Sequence, residues 1–278
     1  MGEAKLKQSA TQKFIAQYPA CCFCAGMRAA TTREHMPPKS LFDNSHRPDK
    51  LVMPACKECN SGTSTADLVA AVMSRWAVDN TEQEHRDHEK LVRRLRKQAP
   101  EVIDEWTSTR VKDRVKGRRH LRKHGVMIPD DVGIVAVGAT SIRHLNLFSH
   151  KVTLALYFEH FRRPLLPPGA YLAMWRSKED FARNGVPREL LEIFPGYATL
   201  TQGRWSEHET FEYRHAINYE DGLFGFFARF RWGLFVLGSV VENAAVLQSH
   251  ERAADDGRWV EACDLLSQSR AADMSKKV

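Results

Sequence analysis

Two cysteine pairs, Cys21-x-x-Cys24 and Cys56-x-x-Cys59, flank the run Glu34-His35-Met36-Pro37-Pro38-Lys39, and Asn60 directly follows the last cysteine. Each Cys-x-x-Cys turn presents two sulfurs from one knuckle, and two such turns at this separation supply the donor set of a structural Zn2+ site. Cys22 lies inside the first turn and makes Cys22-x-Cys24 an alternative hook. A two-residue gap closes the usual chelate ring and favours Cys21. Cys263 stands alone near the C-terminus and reads as a buried or idle thiol.

Glu34, His35 and Asn60 offer a second kind of chemistry. An imidazole with an ordinary pKa of ~6.5 can take a proton from water at neutral pH. Carboxylate and amide oxygens suit a hard cation such as Mg2+ or Mn2+. A histidine beside two prolines is ordinarily plain polar surface. The carboxylate before His35 and the thiolate hooks on both sides set it apart. His46 is a competing base in the same segment, Lys39 reads equally as a phosphate contact or as surface, and Pro37 and Pro38 stiffen the chain after His35.

Residues 21–60 are rich in Pro, Asn, Asp, Ser and Cys and too few to enclose an apolar core, so a metal staple is the expected remedy. The chain after Asn60 turns helical: Leu68, Val69, Val72 and Trp76 share one face, Thr65 is the candidate N-cap, and Asp67 falls in the first turn. Asp67 is also a possible outer group of a metal site.

With both hooks in place, the stretch Thr32-Arg33-Glu34-His35-Met36-Pro37-Pro38-Lys39 resembles the acidic-His strand of the HNH (ββα-metal, His-Me finger) endonucleases. Leu51-Val52-Met53-Pro54-Ala55-Cys56-Lys57-Glu58-Cys59-Asn60 resembles their second strand, zinc knuckle and terminal Asn. The likeness covers residues 18–75, and its layout is similar to the phage Holliday-junction resolvase type. It implies an α+β fold whose N-terminal part is a zinc-braced ββα-metal, treble-clef-like module. Cys21, Cys24, Cys56 and Cys59 would hold structural Zn2+. Glu34 and Asn60 would hold one catalytic Mg2+ or Mn2+, and His35 would be the general base. The family's middle Asn, which braces the hairpin, has no clean counterpart: Asp49-Lys50 stands at its place and Asn44 is the nearest Asn.

The remaining chain reads as three further parts: 77–125 a charged helical connector, 126–250 an α+β domain, and 251–278 a helix and tail, after a nuclease module over 1–76. The connector breaks at Pro100. It ends in a block from Arg110 to His124 with eight Lys or Arg against the single acid Asp113. Arg110, Arg114 and either Lys116 or Arg118 recur at helical steps as a cationic stripe, with Arg93, Arg94, Arg96 and Lys97 as a smaller cluster. Either is a solvated face or a phosphate contact. Beyond 126, a strand is expected near 132–137, a helix over 142–160, a strand over 170–175, and an antiparallel meander over 211–218, 223–232 and 234–241. In its middle strand Phe224, Phe226, Phe230 and Trp232 share one face and Phe227, Arg229 and Arg231 the other.

The net charge of +7 and a pI near 9.1 favour a polyanionic partner. No run approaches a membrane span, no secretory leader precedes the first hook, and reduced thiolates suit a cytoplasmic setting. The expected activity is metal-dependent hydrolysis of phosphodiester bonds, with DNA as the preferred substrate. The rival readings are a zinc-dependent nucleic-acid-binding module that does not cut, and an interaction protein whose zinc is purely structural.

Overall fold

The computed structural model describes residues 2–43, 47–76, 82–123, 125, 127, 133–181, 185–202, 205–248 and 259–267. Asn44, His46 and most of the expected C-terminal helix lie outside them. Helix α1 (Gly2–Gln17) leads through the first cysteine turn to β1 (Thr32–His35), which pairs antiparallel with β2 (Val52–Ala55) from Thr32↔Ala55 to His35↔Val52. Strand β2 runs into Cys56, whose extended backbone caps α2 (Lys57–Gly62). Helix α3 (Ser64–Met73) begins one residue later with Thr63 at its N-cap, not Thr65, and Trp76 lies past its end. Every residue of α3 from Ala66 to Met73 is buried, as suits a helix apolar on all sides that packs between other helices.

The charged stretch folds as α4 (Glu82–Gln98), α5 (Pro100–Thr107) and α6 (Val111–Lys123), with Pro100 at the start of α5, where its missing N–H costs nothing. It is less detached than its composition suggests. Leu95 of α4 and Val102, Ile103 and Trp106 of α5 are buried in the main core, whereas α6 buries no residue. The strand expected near 132–137 is absent among its described residues, 133–137, which run without regular structure into α7 (Ala139–Phe161).

A remote carboxylate caps α7. Glu105 on α5 accepts from the backbone N–H groups of Gly138, Thr140 and Ser141 at 2.9–3.1 Å and from the Ser141 hydroxyl. It thereby satisfies donors that open every helix and places an anion at the positive end of the helix dipole. Burial raises the Glu105 pKa, but the hydrogen bonds from Ser141, Thr140 and Gly138 outweigh it and hold the carboxyl below its ordinary range. The cap therefore stabilises the protein above the unfolded-state pKa of about 4.3 and is lost as pH falls through the lower folded value. Glu105→Ala should cost about 1–2 kcal/mol at pH 7, read by denaturant unfolding, and the gap from wild type should close below about pH 4.

The C-terminal part is a six-stranded antiparallel sheet in the order β10-β3-β9-β8-β7-β4. After β3 (Ala170–Ser177) come α8 (Lys178–Phe181), α9 (Arg188–Ile193), β4 (Gly196–Thr199) and a small hairpin, β5 (Thr201–Gln202) with β6 (Trp205–Ser206). The meander β7 (Phe211–Asn218), β8 (Leu223–Phe230) and β9 (Leu234–Val241) follows, then α10 (Ala245–Gln248) and β10 (Val260–Glu261). Helix α7 covers one face, where Phe224, Phe226 and Phe230 are buried, with Phe148 5.2 Å from Phe230 between ring centroids. Phe227 joins Phe194 and Phe235 in a satellite cluster on the other face.

Two expectations for this strand are corrected. Trp232 lies beyond β8 and is exposed, with the Arg229 guanidinium 4.1 Å from its ring. Arg231 likewise lies beyond β8, and it and Arg229 are both buried and engaged within the protein. Arg229 bonds Glu212 and the His208 carbonyl. Arg231, in the left-handed region at φ 49°, reaches the Leu41 carbonyl, Asp43 and Glu84. Beside it, the Gly233 N–H donates to the Ser74 carbonyl at 3.1 Å, and a Cβ there would collide with the Met73 carbonyl. The β8–β9 turn is thus seated on the end of α3. One buried apolar cluster runs from Cys21 through α3 and α7 to Leu265.

Candidate functional site: a four-cysteine centre and the hairpin beside it

Cys21, Cys24, Cys56 and Cys59 are buried, and their sulfurs all lie within 4.8 Å of one another. A tetrahedron with ~2.3 Å arms has edges of about 3.8 Å, so the cluster could hold a metal such as zinc. Cys22 is buried outside the cluster, which selects the two-residue hook. The Phe23 N–H points at the Cys21 sulfur and the Cys59 N–H at the Cys56 sulfur, each at 3.4 Å, as anionic sulfur acceptors require. As thiolates, four sulfurs this close repel one another. These sulfurs share negative charge that a divalent ion would neutralise.

The charge has a second partner that sequence reasoning missed. Arg28 directs Nε to Cys56 Sγ and a terminal nitrogen to Cys59 Sγ, both at 3.2 Å, and pairs with Asp264 at 2.8 Å. The C-terminal segment is thereby strapped to the knuckle, and Leu265 N–H bonds the Phe23 carbonyl at 3.0 Å. Arg28→Ala should weaken zinc affinity by about 10–100-fold, the usual cost of losing a group behind a metal ligand, as read by chelator competition.

At the far end of β1, His35 Nε2 lies 3.0 Å from Asp49 Oδ1, and Arg33 holds both Asp49 oxygens at 3.1 Å. Side chains two apart on a strand share a face, which brings Arg33 and His35 to the same acid. Asp49, which stands at the place of the middle Asn, is thus the residue that meets His35. Arg47 closes the rest of the loop, donating to the carbonyls of Met36, Pro37, Pro48 and Lys50 at 2.6–2.8 Å. Burial and the Arg47 charge lower the His35 pKa, Lys39 adds to this, and Asp49 opposes it. The net shift is downward, so His35 is neutral at pH 7. Lys39 and Lys50 are exposed nearby, and Lys50 Nζ meets Thr201 Oγ1 of β5 at 3.2 Å.

Comparison with family models, with curated proteins and with solved structures finds no match to this chain.

The other anticipated site residues are separated from His35. Glu34 faces inward, is buried, and pairs through Oε1 with Lys151 Nζ at 2.8 Å; the same Nζ meets Asp67 Oδ2 at 2.7 Å. Asn60 on α2 donates its amide N–H to Thr32 Oγ1 at 3.0 Å, at the opposite end of β1 from His35. Strand alternation puts Thr32 and Glu34 on one face and Arg33 and His35 on the other. Among the described residues the four cysteines are the one group of three or more His, Cys, Asp or Glu side chains that converge to ligating distance.

Lys151 carried a sequence signal that was overlooked. It is the one charged residue in the otherwise apolar or neutral stretch Leu145–Phe158, in phase with Leu147, Phe148, Leu154 and Ala155. The basic residues Arg110, Arg114 and Arg118 lie on or beside α6, which buries no residue, and Arg110 is paired with Asp113 at 2.9 Å. On α4, Lys90, Arg93, Arg94 and Lys97 line one shallow concavity.

Proposed function

We propose that the chain is an HNH-type endonuclease, a zinc-braced hairpin and helix that hydrolyses phosphodiester bonds, with DNA as substrate. The observation that carries this reading is the His35–Asp49 pair at the loop end of the β1–β2 hairpin. An ionised carboxylate only accepts hydrogen bonds, so Asp49 takes the Nε2–H of His35 and leaves Nδ1 with a lone pair. Nδ1 removes a proton from water; the hydroxide oxygen bonds to phosphorus, the P–O3′ bond breaks, and the 3′ oxygen leaves with a proton from solvent. Lys39 and Lys50 supply positive charge where the phosphate approaches, and Arg110, Arg114 and Arg118 extend it for the flanking backbone.

The HNH resemblance also gives Glu34 and Asn60 a catalytic Mg2+ or Mn2+, which would stabilise charge on the scissile phosphate. The residues as arranged do not fit that ion, because Glu34 is buried and its Oε1 is held by a buried ammonium. No step is routed through it. The same Glu34–Lys151 pair favours the second reading, a zinc-dependent module that grips nucleic acid without cutting.

Supercoiled plasmid incubated with the protein and Mg2+ or Mn2+, alongside EDTA and His35→Ala arms, separates the two. The nuclease nicks or linearises it, and His35→Ala does not. The binder retards the plasmid in a mobility assay and leaves it intact.

A further inference from the structure

Lys151 has no exposed surface and sits midway along α7 among buried apolar neighbours, with Phe148 before it and Leu154 and Ala155 after it. An ammonium has three N–H donors and no acceptor, and in an apolar interior its charge persists only when paired and hydrogen-bonded. Here one donor meets Glu34 of β1 and another meets Asp67 of α3. A single nitrogen on α7 thus joins β1 and α3, through Glu34 and Asp67, which lie 117 and 84 residues away in sequence. Among the described residues the other Asp67 oxygen, Oδ1, is buried without a hydrogen-bond partner, and Lys151 is the side chain that bonds Asp67.

A divalent ion on Glu34 would stand a few ångström from this ammonium, with like charge and in a buried setting where charges interact strongly. Lys151 cannot swing clear, because its stem is enclosed along its whole length. Taking the lysine away is equally unfavourable, since it leaves two carboxylates facing each other inside the protein.

We propose that Lys151 is the resident cation of this hairpin: it occupies Glu34 and Asp67 permanently, making Glu34 a structural bolt between β1, α3 and α7 and not a ligand of a divalent ion. The inference rests on the nuclease reading only in that Glu34 is the carboxylate that reading would give to a metal. Any divalent requirement of cleavage then resides on other groups.

The test needs no cleavage. Zinc-loaded wild type, Glu34→Gln and Lys151→Met are titrated with Mn2+, with free Mn2+ followed by electron paramagnetic resonance and thermal unfolding recorded on the same samples. Glutamine keeps an oxygen for the ammonium and removes the charge that a metal would need; methionine keeps most of the lysine's bulk. The expected result is that Glu34→Gln binds Mn2+ within twofold of wild type, in number of sites and in affinity, and melts several degrees lower. Lys151→Met should melt lower still, and combining it with Glu34→Gln should recover part of that loss by removing one of two facing carboxylates. Should Lys151→Met fail to fold, Glu34→Gln alone decides. A wild-type Mn2+ site that Glu34→Gln abolishes or weakens tenfold would overturn the inference. So would an unchanged melting temperature in both single variants. Neither result depends on whether plasmid is cut, so the nuclease reading can fail or stand separately.

Discussion

His35→Ala is expected to slow plasmid cleavage by about 10²–10⁴-fold, the usual contribution of a positioned general base, with melting temperature and zinc content unchanged. The selectivity follows from placement. The His35 side chain is about a quarter exposed (24%) and its partner Asp49 is two-thirds exposed (67%), so their removal disturbs little packing. A base must be neutral to act, and burial together with Arg47 and Lys39 lowers the His35 pKa below its ordinary value of 6.5. Cleavage should therefore be level through neutral pH and fall only as the pH drops through a value below 6.5. Asp49 works in the opposite direction, raising the imidazole pKa through its charge and hydrogen bond. Asp49→Asn should accordingly move the acid limb to still lower pH while leaving the plateau near wild type, because the amide oxygen still accepts the Nε2–H hydrogen bond without carrying the charge. A cleavage-against-pH series on the three proteins checks both signs. An His35→Ala protein that cuts like wild type would leave the binding module as the better account.

Loss of the metal should be felt well beyond the knuckles. In Cys59→Ser zinc affinity should fall by more than the ~10–100-fold of an outer-shell change, and in that variant, as in wild type stripped by a strong chelator, the main unfolding transition should drop sharply or vanish. Structural zinc contributes on the order of 10–16 kcal/mol in isolated zinc-binding peptides, against roughly 5–15 kcal/mol for the net stability of a whole domain. Here the cysteines belong to the same apolar cluster as α3, α7 and the sheet, so removing the staple exposes more than the segment that carries it. The strap through Arg28 and Asp264 extends the effect to the C-terminal segment. Circular dichroism across a chelator titration, with zinc added back, reads the coupling directly. Melting of residues 18–76 alone, with the sheet's transition intact, would contradict it.

The sequence by itself determined what depends on short spacing. A two-residue gap between cysteines sets the geometry of a knuckle whatever surrounds it, so the four sulfurs were identified before any fold was known. Period-two patterning and the turn residues at 219–222 and 233 likewise placed the meander within two residues of its observed strands. The start of α3 differs from the expected Thr65 because Thr63 is equally suited to open a helix, and in the structure Thr63 both ends α2 and begins α3.

The tertiary structure alone decided which charges meet. A charged side chain reads as solvated unless its partners are known, and the partners here are remote: Arg28 finds Asp264, Arg231 finds Asp43 and Glu84, and Glu105 finds the start of α7. For the same reason the composition of 77–125 suggested a detached connector, although Leu95, Val102, Ile103 and Trp106 anchor it in the core. The candidate site divides along this line. Glu34, His35 and Asn60 stand together in the pattern, yet one residue along a strand reverses the face, turning Glu34 inward to Lys151 and His35 outward to Asp49. Local spacing governs bonds made within a few residues, whereas the burial of a charge is settled only when every element around it has packed.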